Sequence, residues 1–187
     1  GKDNKDIVGG GCIKDSSGLL TVDEDKVREV WRAHFDDLLN VEFSWDKDSR
    51  VESDAISGRA ECISKEEVRA AMAEMKVGKA GGPSGVVSEM LKAAGEDGVE
   101  WVTDLCKAVV REGKIPEDWK KSWLVTVYKG KGDALECGSY RGIKLLDHVM
   151  KVFERVIDKK IRSIVKLDDM QFGFTSGKST IDAIFIV

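Results

Sequence analysis

The chain has 187 residues and a hydrophobic fraction of 42%, enough for one ordinary domain with a buried core, and this argues against wholesale disorder. Its formal net charge of −4 disfavours a polyanionic partner for the chain as a whole. The charge is unevenly spread, however, because residues 114–187 hold 14 Lys and Arg against 10 Asp and Glu. Any polyanion is therefore expected to bind the C-terminal part.

The cysteines and histidines offer no metal-ligand spacing. The chain contains Cys12, Cys62, Cys106 and Cys137, and only two histidines, His34 and His148. No pair of cysteines is separated by two residues, so we expect scattered free thiols, as in a reducing compartment. There is no signal peptide and no apolar run of about 20 residues, which predicts a soluble intracellular protein of the nucleus or cytoplasm without membrane contact. The first residue is Gly, which suggests a piece of a longer protein.

The first third of the chain predicts a helix between two linkers. Residues 1–20 are Gly-rich and charged and are interpreted as a linker or loose edge. A helical period follows, ending near Asn40, and residues 41–60 are again interpreted as a linker, with Trp45 as the one large apolar group near its centre. The apolar side of that helix is formed by Val27, Val30, Trp31, His34, Phe35, Leu38 and Leu39.

Four further helices are predicted from caps and apolar spacing. Ser64 and Glu67 have the form of a capping box, and this helix is expected to end at Gly78. A shorter helix is predicted over 86–94. A longer one is predicted over 98–112, and its inward-facing residues are Val99, Val102, Leu105, Val109 and Val110. Asp147 is expected to cap a long helix whose cations are interpreted as a solvated face. Its apolar side comprises Val149, Val152, Phe153, Val156, Ile157, Ile161 and Ile164.

A strand and turn in the C-terminal part concentrate positive charge. Residues 123–128 read WLVTVY, which is typical of a strand. Lys129 and Lys131 follow on a glycine-containing turn, and the chain returns through Arg141 towards a second apolar run. A hairpin that brings these three cations to one edge is a plausible phosphate contact.

Three other motifs allow a functional and a structural interpretation. Residues 78–85 read GKAGGPSG, which is either a connector, the better-supported alternative from spacing, or a loop against a ligand or nucleic-acid backbone. Gly177-Lys178-Ser179 suggests a P-loop, but only three residues separate Gly173 from Gly177 where four are needed, so the P-loop is rejected. Asp168-Asp169 is interpreted as a solvated loop or cap rather than a metal site.

The order of four blocks is more specific than any one motif. GKAGGPSG, IPEDWKKSWLVTVYKGKGD, CGSYRGIKLLDHVMKVFERVIDKKI and QFGFTSGKSTIDAIF follow one another between residues 63 and 187. This arrangement strongly resembles the reverse transcriptase of LINE-type (non-LTR) retrotransposons. The resemblance implies an α+β chain: a mainly helical lead-in, residues 1–62, followed by the fingers and start of the palm of a truncated right-hand polymerase domain, residues 63–187, with one short β-hairpin.

The resemblance also implies roles for particular residues. Lys129, Lys131 and Arg141 match the fingers positions that hold the triphosphate of the incoming deoxynucleotide. A second set matches elements that line the template and the nucleotide side of the palm: Gly78, Lys79, Gly82, Pro83, Gln171, Phe172, Gly173, Gly177, Lys178 and Ser179. The partners implied are an RNA template, a DNA primer and dNTP, and the cofactor of the full-length family enzyme is Mg²⁺.

Departures from the family pattern leave alternatives open. The chain has Ser84 where the family usually has Asp, Thr126 for Pro, Ser139 for Asn, and Thr175-Ser176 for Arg-Pro. The family's catalytic aspartates, which hold two Mg²⁺ ions, are expected beyond Val187, so this chain is expected to bind no metal and to be inactive alone. The alternatives are a decayed remnant that acts as an RNA- or protein-binding module, or a relic without function.

Overall fold

The computed structural model describes residues 11–42, 62–165 and 167–186, which form helices and two short antiparallel hairpins. The α+β class is thereby confirmed at that level. The strands are β1 (Ile13–Lys14), β2 (Leu20–Thr21), β3 (Trp123–Tyr128) and β4 (Tyr140–Leu145). The helices are α1 (Glu24–Leu39), α2 (Lys65–Ala73), α3 (Ser88–Ala93), α4 (Gly95–Glu112), α5 (His148–Ile164) and α6 (Thr180–Ile186).

The main core lies between α2, α4 and α5. Val68, Val102 and Val152, one from each helix, are completely buried at 0% exposure. Trp119, from a short 3-10 turn, closes one side and packs its ring 5.7 Å from that of Phe153. Burying these apolar side chains is the main stabilising contribution of this part of the chain.

The predicted caps of α2 and α5 are confirmed. The Ser64 hydroxyl accepts a hydrogen bond from Glu67 N–H, and the Glu67 carboxylate accepts one from Ser64 N–H at 2.8 Å. Asp147 caps α5 by accepting from Val149 N–H at 2.8 Å. The predicted end of α2 at Gly78 is wrong, because the helix ends at Ala73. Gly78, at φ +69°, lies in the loop that follows.

A second, smaller core joins the N-terminal segment to the β3–β4 hairpin. Ile13 is 1% exposed and packs with Cys137 and Tyr140, and the Trp31 ring meets the Tyr140 ring edge-on at 5.0 Å. The interpretation of residues 1–20 as a linker is therefore wrong for 13–14, and the described residues form two hairpins where one was predicted. The turn between β1 and β2 is held by Asp15, whose carboxylate accepts from N–H groups two and four residues later.

The predicted apolar sides of α1, α4 and α5 extend too far. Leu38 and Leu39 at the end of α1 are 61% and 54% exposed, and Ile161 and Ile164 at the end of α5 are 52% and 68% exposed. These residues continue the helical period, but their side chains are not buried in the described part of the chain. Val110 on α4, predicted to face inward, is also largely exposed. The linker predicted over 41–60 and its Trp45 lie almost wholly outside the described residues.

The four cysteines are free thiols, as predicted. Cys106 is completely buried in the main core, and burial raises the pKa of its thiol to about 11 because the thiolate would lose its hydration. None of the helices in the described ranges is long and apolar enough to cross a membrane.

Replacing Gly82 with Ala should destabilise the fold, since an added Cβ would lie 2.5 Å from Asp147 N and 2.5 Å from the Leu146 carbonyl carbon. Both are backbone atoms that cannot rotate away. We expect urea unfolding to show a loss of about 1–3 kcal/mol in the free energy of unfolding. Gly138→Ala is the control, because nothing lies within 4 Å of its Cβ position. Equal stability of the two variants would contradict this close approach.

The stability of the protein should depend on the Cys106 thiol at high pH. Because its folded-state pKa is raised from 9.0 to about 11, the stabilisation is complete below pH 9 and is lost as the pH rises through 11. The stability difference between the protein and Cys106→Ala should therefore shrink by roughly 2 kcal/mol between those values. Urea unfolding at several pH values measures it. A pH-independent difference would show that the thiol ionises equally easily in both states.

Candidate nucleotide and nucleic-acid interface

The register of the β3–β4 hairpin decides which residues share a face. Tyr128 pairs with Tyr140, and Val127 pairs with Arg141. Tyr140 packs against α1, so Arg141, the next residue on the strand, points away from α1. Lys129 lies two residues after Val127 and therefore shares the face of Arg141 at the turn end of the hairpin. Cα atoms in such a diagonal pair lie about 7–8 Å apart in a sheet.

The turn that joins the two strands is braced by hydrogen bonds. The Tyr128 hydroxyl donates to Gly132 O at 2.6 Å and the Tyr140 hydroxyl donates to Ala134 O at 2.7 Å. Lys129 N–H donates to Ser139 O at 2.9 Å and extends the ladder by one step. Gly132 has φ +85°, a left-handed conformation that a side chain would strain. These hydrogen bonds and the glycine conformation fix the backbone of the turn that carries Lys129 and Lys131.

The three side chains predicted to contact phosphate differ in how many of their hydrogen-bond donors already have a partner in the protein. The Lys129 ammonium donates to Gly138 O at 2.7 Å, which leaves two of its three N–H donors for a ligand. Lys131 and Arg141 are exposed, and within 11–42, 62–165 and 167–186 no partner accepts a hydrogen bond from either side chain. The hairpin thus brings Lys129 and Arg141 to one face and carries Lys131 in the adjoining turn.

The glycine loop of residues 78–85 packs on the N-terminal end of α5. The backbone of Gly82 lies against Leu146 and Asp147, and the His148 Nε2 atom is 3.1 Å from Ala80 O. Gly82 is buried and Pro83 half-buried, whereas Gly78 and Lys79 are exposed. At the start of the loop, a hydrogen bond from Gly78 N–H lowers the pKa of Glu89. The loop is both a connector and the support of an exposed lysine.

The other predicted template and palm residues lie in the segment between α5 and α6. The Lys178 ammonium sits 5.1 Å from the Phe172 ring centroid, and the Gln171 amide donates to Gly173 O at 2.9 Å. The Ser179 hydroxyl donates to the Asp182 carboxylate at 2.8 Å, and this hydrogen bond is the main reason that the pKa of Asp182 is lowered. Gly177, at φ +78°, forms part of the turn before them.

The two predicted template-lining blocks do not lie together. The glycine loop contacts the first residues of α5, whereas Arg162, near its last turn, donates to Phe174 O at 3.4 Å. With a rise of 1.5 Å per residue, the two ends are about 20 Å apart. They can serve one ligand only if that ligand is extended.

A basic groove that the sequence did not predict lies between the glycine loop and α5. It has a volume of about 520 Å³ and is lined by Met75, Lys76, Lys79, His148, Lys151, Glu154, Arg155 and Asp158. The cations of α5 were interpreted as a solvated face, but Arg155 and Lys159 both pair with Glu74. Lys151 and Arg155 also line the groove. The signal was present: positions 148, 151 and 155 recur at helical spacing directly after a cap.

The carboxylates of the described residues do not assemble a metal site. Asp168 and Asp169 are exposed, and Asp168 accepts a hydrogen bond from Met170 N–H at 2.8 Å, as in a local turn. Across the described ranges no group of three His, Cys, Asp or Glu residues could hold a metal ion.

Comparison with known proteins identifies the relatives of the chain. It is 33% identical over 165 residues, 83% of its length, to the Retrovirus-related Pol polyprotein from type-1 retrotransposable element R1 of Bradysia coprophila. It is 33% identical over 110 residues, 57% of its length, to the Probable RNA-directed DNA polymerase from transposon X-element of Drosophila melanogaster. It is 28% identical over 179 residues, 92% of its length, to the Putative 115 kDa protein in type-1 retrotransposable element R1DM of the same fly.

The alignment is extensive for the chain and partial for its relatives. The chain spans 16%, 12% and 16% of the length of these three proteins. No protein-family model matches it. Two further relatives, from transposon BS and mobile element jockey of Drosophila melanogaster, are also described as RNA-directed DNA polymerases. The chain is therefore a homologue of the RNA-directed DNA polymerases and Pol polyproteins of non-LTR retrotransposons.

Proposed function

We propose that the chain is the fingers portion and the start of the palm of an RNA-directed DNA polymerase, and that its β3–β4 hairpin binds the triphosphate of an incoming dNTP. The observation that carries the proposal is the strand register, which puts Arg141 and Lys129 on one face beside the turn that carries Lys131. The similarity to polymerases of non-LTR retrotransposons supports the same reaction class.

The chemistry of the three side chains suits a triphosphate. A guanidinium group can donate two parallel hydrogen bonds to phosphate oxygens, and two flexible ammonium groups can neutralise the remaining charge. The Tyr128 and Tyr140 hydroxyl contacts fix the turn before a ligand arrives, so less conformational entropy is lost on binding. The hairpin also packs against α1, which leaves the Arg141 face open to solvent.

The remaining predicted residues act in this proposal as template and primer contacts. Lys79 with its glycine loop and Lys178 with Phe172 stand at the two ends of α5, so they would contact an extended RNA strand at two separate points. The carboxylates that bind Mg²⁺ for phosphoryl transfer are assigned by the resemblance to strands outside residues 1–187. We therefore expect the chain alone to bind nucleotide without incorporating it.

Arg141→Ala should weaken dNTP binding by about tenfold or more, since a charge-assisted hydrogen bond contributes roughly 1.5–3 kcal/mol. Isothermal titration of the chain with a dNTP, with and without an RNA template annealed to a DNA primer, measures this loss. Lys144→Ala is the matched control, because Lys144 is an exposed cation on the same strand but on the opposite face.

Equal losses in the two variants would contradict the proposal, because they would reflect net charge alone. Retained RNA binding without any dNTP binding would instead favour a non-enzymatic RNA-binding module.

A further inference from the structure

The turn between β3 and β4 is supported from within the hairpin and also from the N-terminal segment. Two of its carbonyl groups accept hydrogen bonds from the tyrosine hydroxyls of the hairpin itself. A third, Leu135 O, accepts a hydrogen bond from Lys14 N–H at 2.8 Å. Lys14 belongs to β1, so the conformation of this turn depends on a distant part of the chain as well as on the hairpin.

Lys14 makes a second contact with the same turn, through its side chain. Its ammonium group lies 2.6 Å from the Asp133 Oδ2 atom, and the two side chains are 34% and 39% exposed. The other carboxylate oxygen of Asp133 accepts a hydrogen bond from Leu135 N–H at 2.9 Å. A single carboxylate therefore joins the Lys14 side chain to the backbone of the turn.

The backbone of Lys14 is held beside the turn by its neighbours. Ile13 is 1% exposed and packs with Cys137 and Tyr140, which follow the turn in sequence. The strand that contains both Ile13 and Lys14 also pairs with β2. An ion pair between two segments whose backbones are already fixed loses less conformational entropy on forming than one between mobile segments.

The ion pair also sets the charge of the turn. Asp133 stands two residues after Lys131 and four after Lys129, so its negative charge opposes theirs. The hydrogen bond between Lys14 and Asp133 is the main cause that lowers the pKa of Asp133 and raises the pKa of Lys14, so both side chains are charged. An ionised Asp133 without its partner would repel a phosphate bound beside Lys131, whereas the paired carboxylate is neutralised.

We propose that Lys14 is a positioning residue for the triphosphate site of the β3–β4 hairpin, and this inference rests on the function proposed above. Its backbone N–H and its ammonium group hold the turn that carries Lys131, and the ammonium group neutralises Asp133 beside the phosphates. Lys14 itself does not contact the nucleotide. The N-terminal segment thereby controls the affinity of a site to which it contributes no ligand.

The test is isothermal titration of the full 187-residue chain with a dNTP in the presence of an RNA template annealed to a DNA primer. Lys14→Ala should weaken dNTP binding about threefold at low salt, because Asp133 loses both its hydrogen-bond donor and its counter-charge. The loss should shrink as the salt concentration rises, since salt screens the half-exposed Asp133 charge. The matched control is Lys26→Ala, which removes the same charge from an exposed position on α1.

Two further variants separate positioning from a folding defect. Lys14→Arg keeps the charge and a hydrogen-bond donor, so its dNTP affinity should stay within about twofold of the unaltered chain. Asp133→Asn keeps an acceptor for Leu135 N–H but removes the negative charge, so adding Lys14→Ala to it should change the affinity by less than about twofold. A threefold loss in that background would overturn the proposal, as would equal losses in Lys14→Ala and Lys26→Ala or a failure of Lys14→Arg to bind.

Hydrogen exchange measured without dNTP reports on the turn alone. The Leu135 and Glu136 amides are the probes, because both donate hydrogen bonds to Asp133. Lys14→Ala should speed their exchange about threefold, and Lys26→Ala should leave it unchanged. Unchanged exchange in Lys14→Ala would contradict the support of the turn by the N-terminal segment.

The failure of this inference can be told from the failure of the proposed function. If even the unaltered chain binds no dNTP, the triphosphate site is overturned and the positioning role of Lys14 falls with it. If the unaltered chain binds dNTP and Lys14→Ala binds it equally well, only the positioning role falls.

Discussion

The close approach of Gly82 to Leu146 and Asp147 is the contact on which the arrangement of both sites depends. At this point the glycine loop meets the short connection between β4 and α5, with no room for a Cβ atom. The hairpin lies on one side of the connection, and α5 with the basic groove lies on the other. A backbone–backbone contact of this kind has little freedom to adjust, so the loop, the hairpin and the helix are placed relative to one another as a unit.

Local chemistry was sufficient to predict much of the helical structure. The Ser64–Glu67 capping box and the Asp147 cap each satisfy backbone groups within a few residues. Such features can be inferred from sequence because the interacting groups are neighbours in it. The strand at 123–128 was equally clear, since six residues of β-branched, aromatic and apolar type leave few alternatives.

The failures came from contacts between distant segments. Ile13 is a core residue only because Cys137 and Tyr140 cover it. The sequence of residues 1–20 contains no pattern that indicates a contact with these distant residues. The exposed ends of α1 and α5 show the converse, an apolar period whose last side chains stay largely exposed in the described part of the chain. The basic groove belongs to the same class. Its lysines come from two segments more than 70 residues apart. The helical spacing of α5 therefore indicates only the part of the groove that α5 contributes, and not Lys76 or Lys79.

The hairpin that carries the cations also depends on the N-terminal segment. A two-stranded sheet is only marginally stable by itself in water. Side chains of β1 and α1 pack against this one and stabilise it. The ion pair between Lys14 and Asp133 joins residues that are 119 positions apart in the sequence. Forming it costs the conformational entropy of closing that long loop. The α2–α4–α5 core, by contrast, is built from helices that all follow β1, β2 and α1 in the sequence. The N-terminal segment therefore supports the cation-bearing hairpin through a small core of its own, separate from the α2–α4–α5 core.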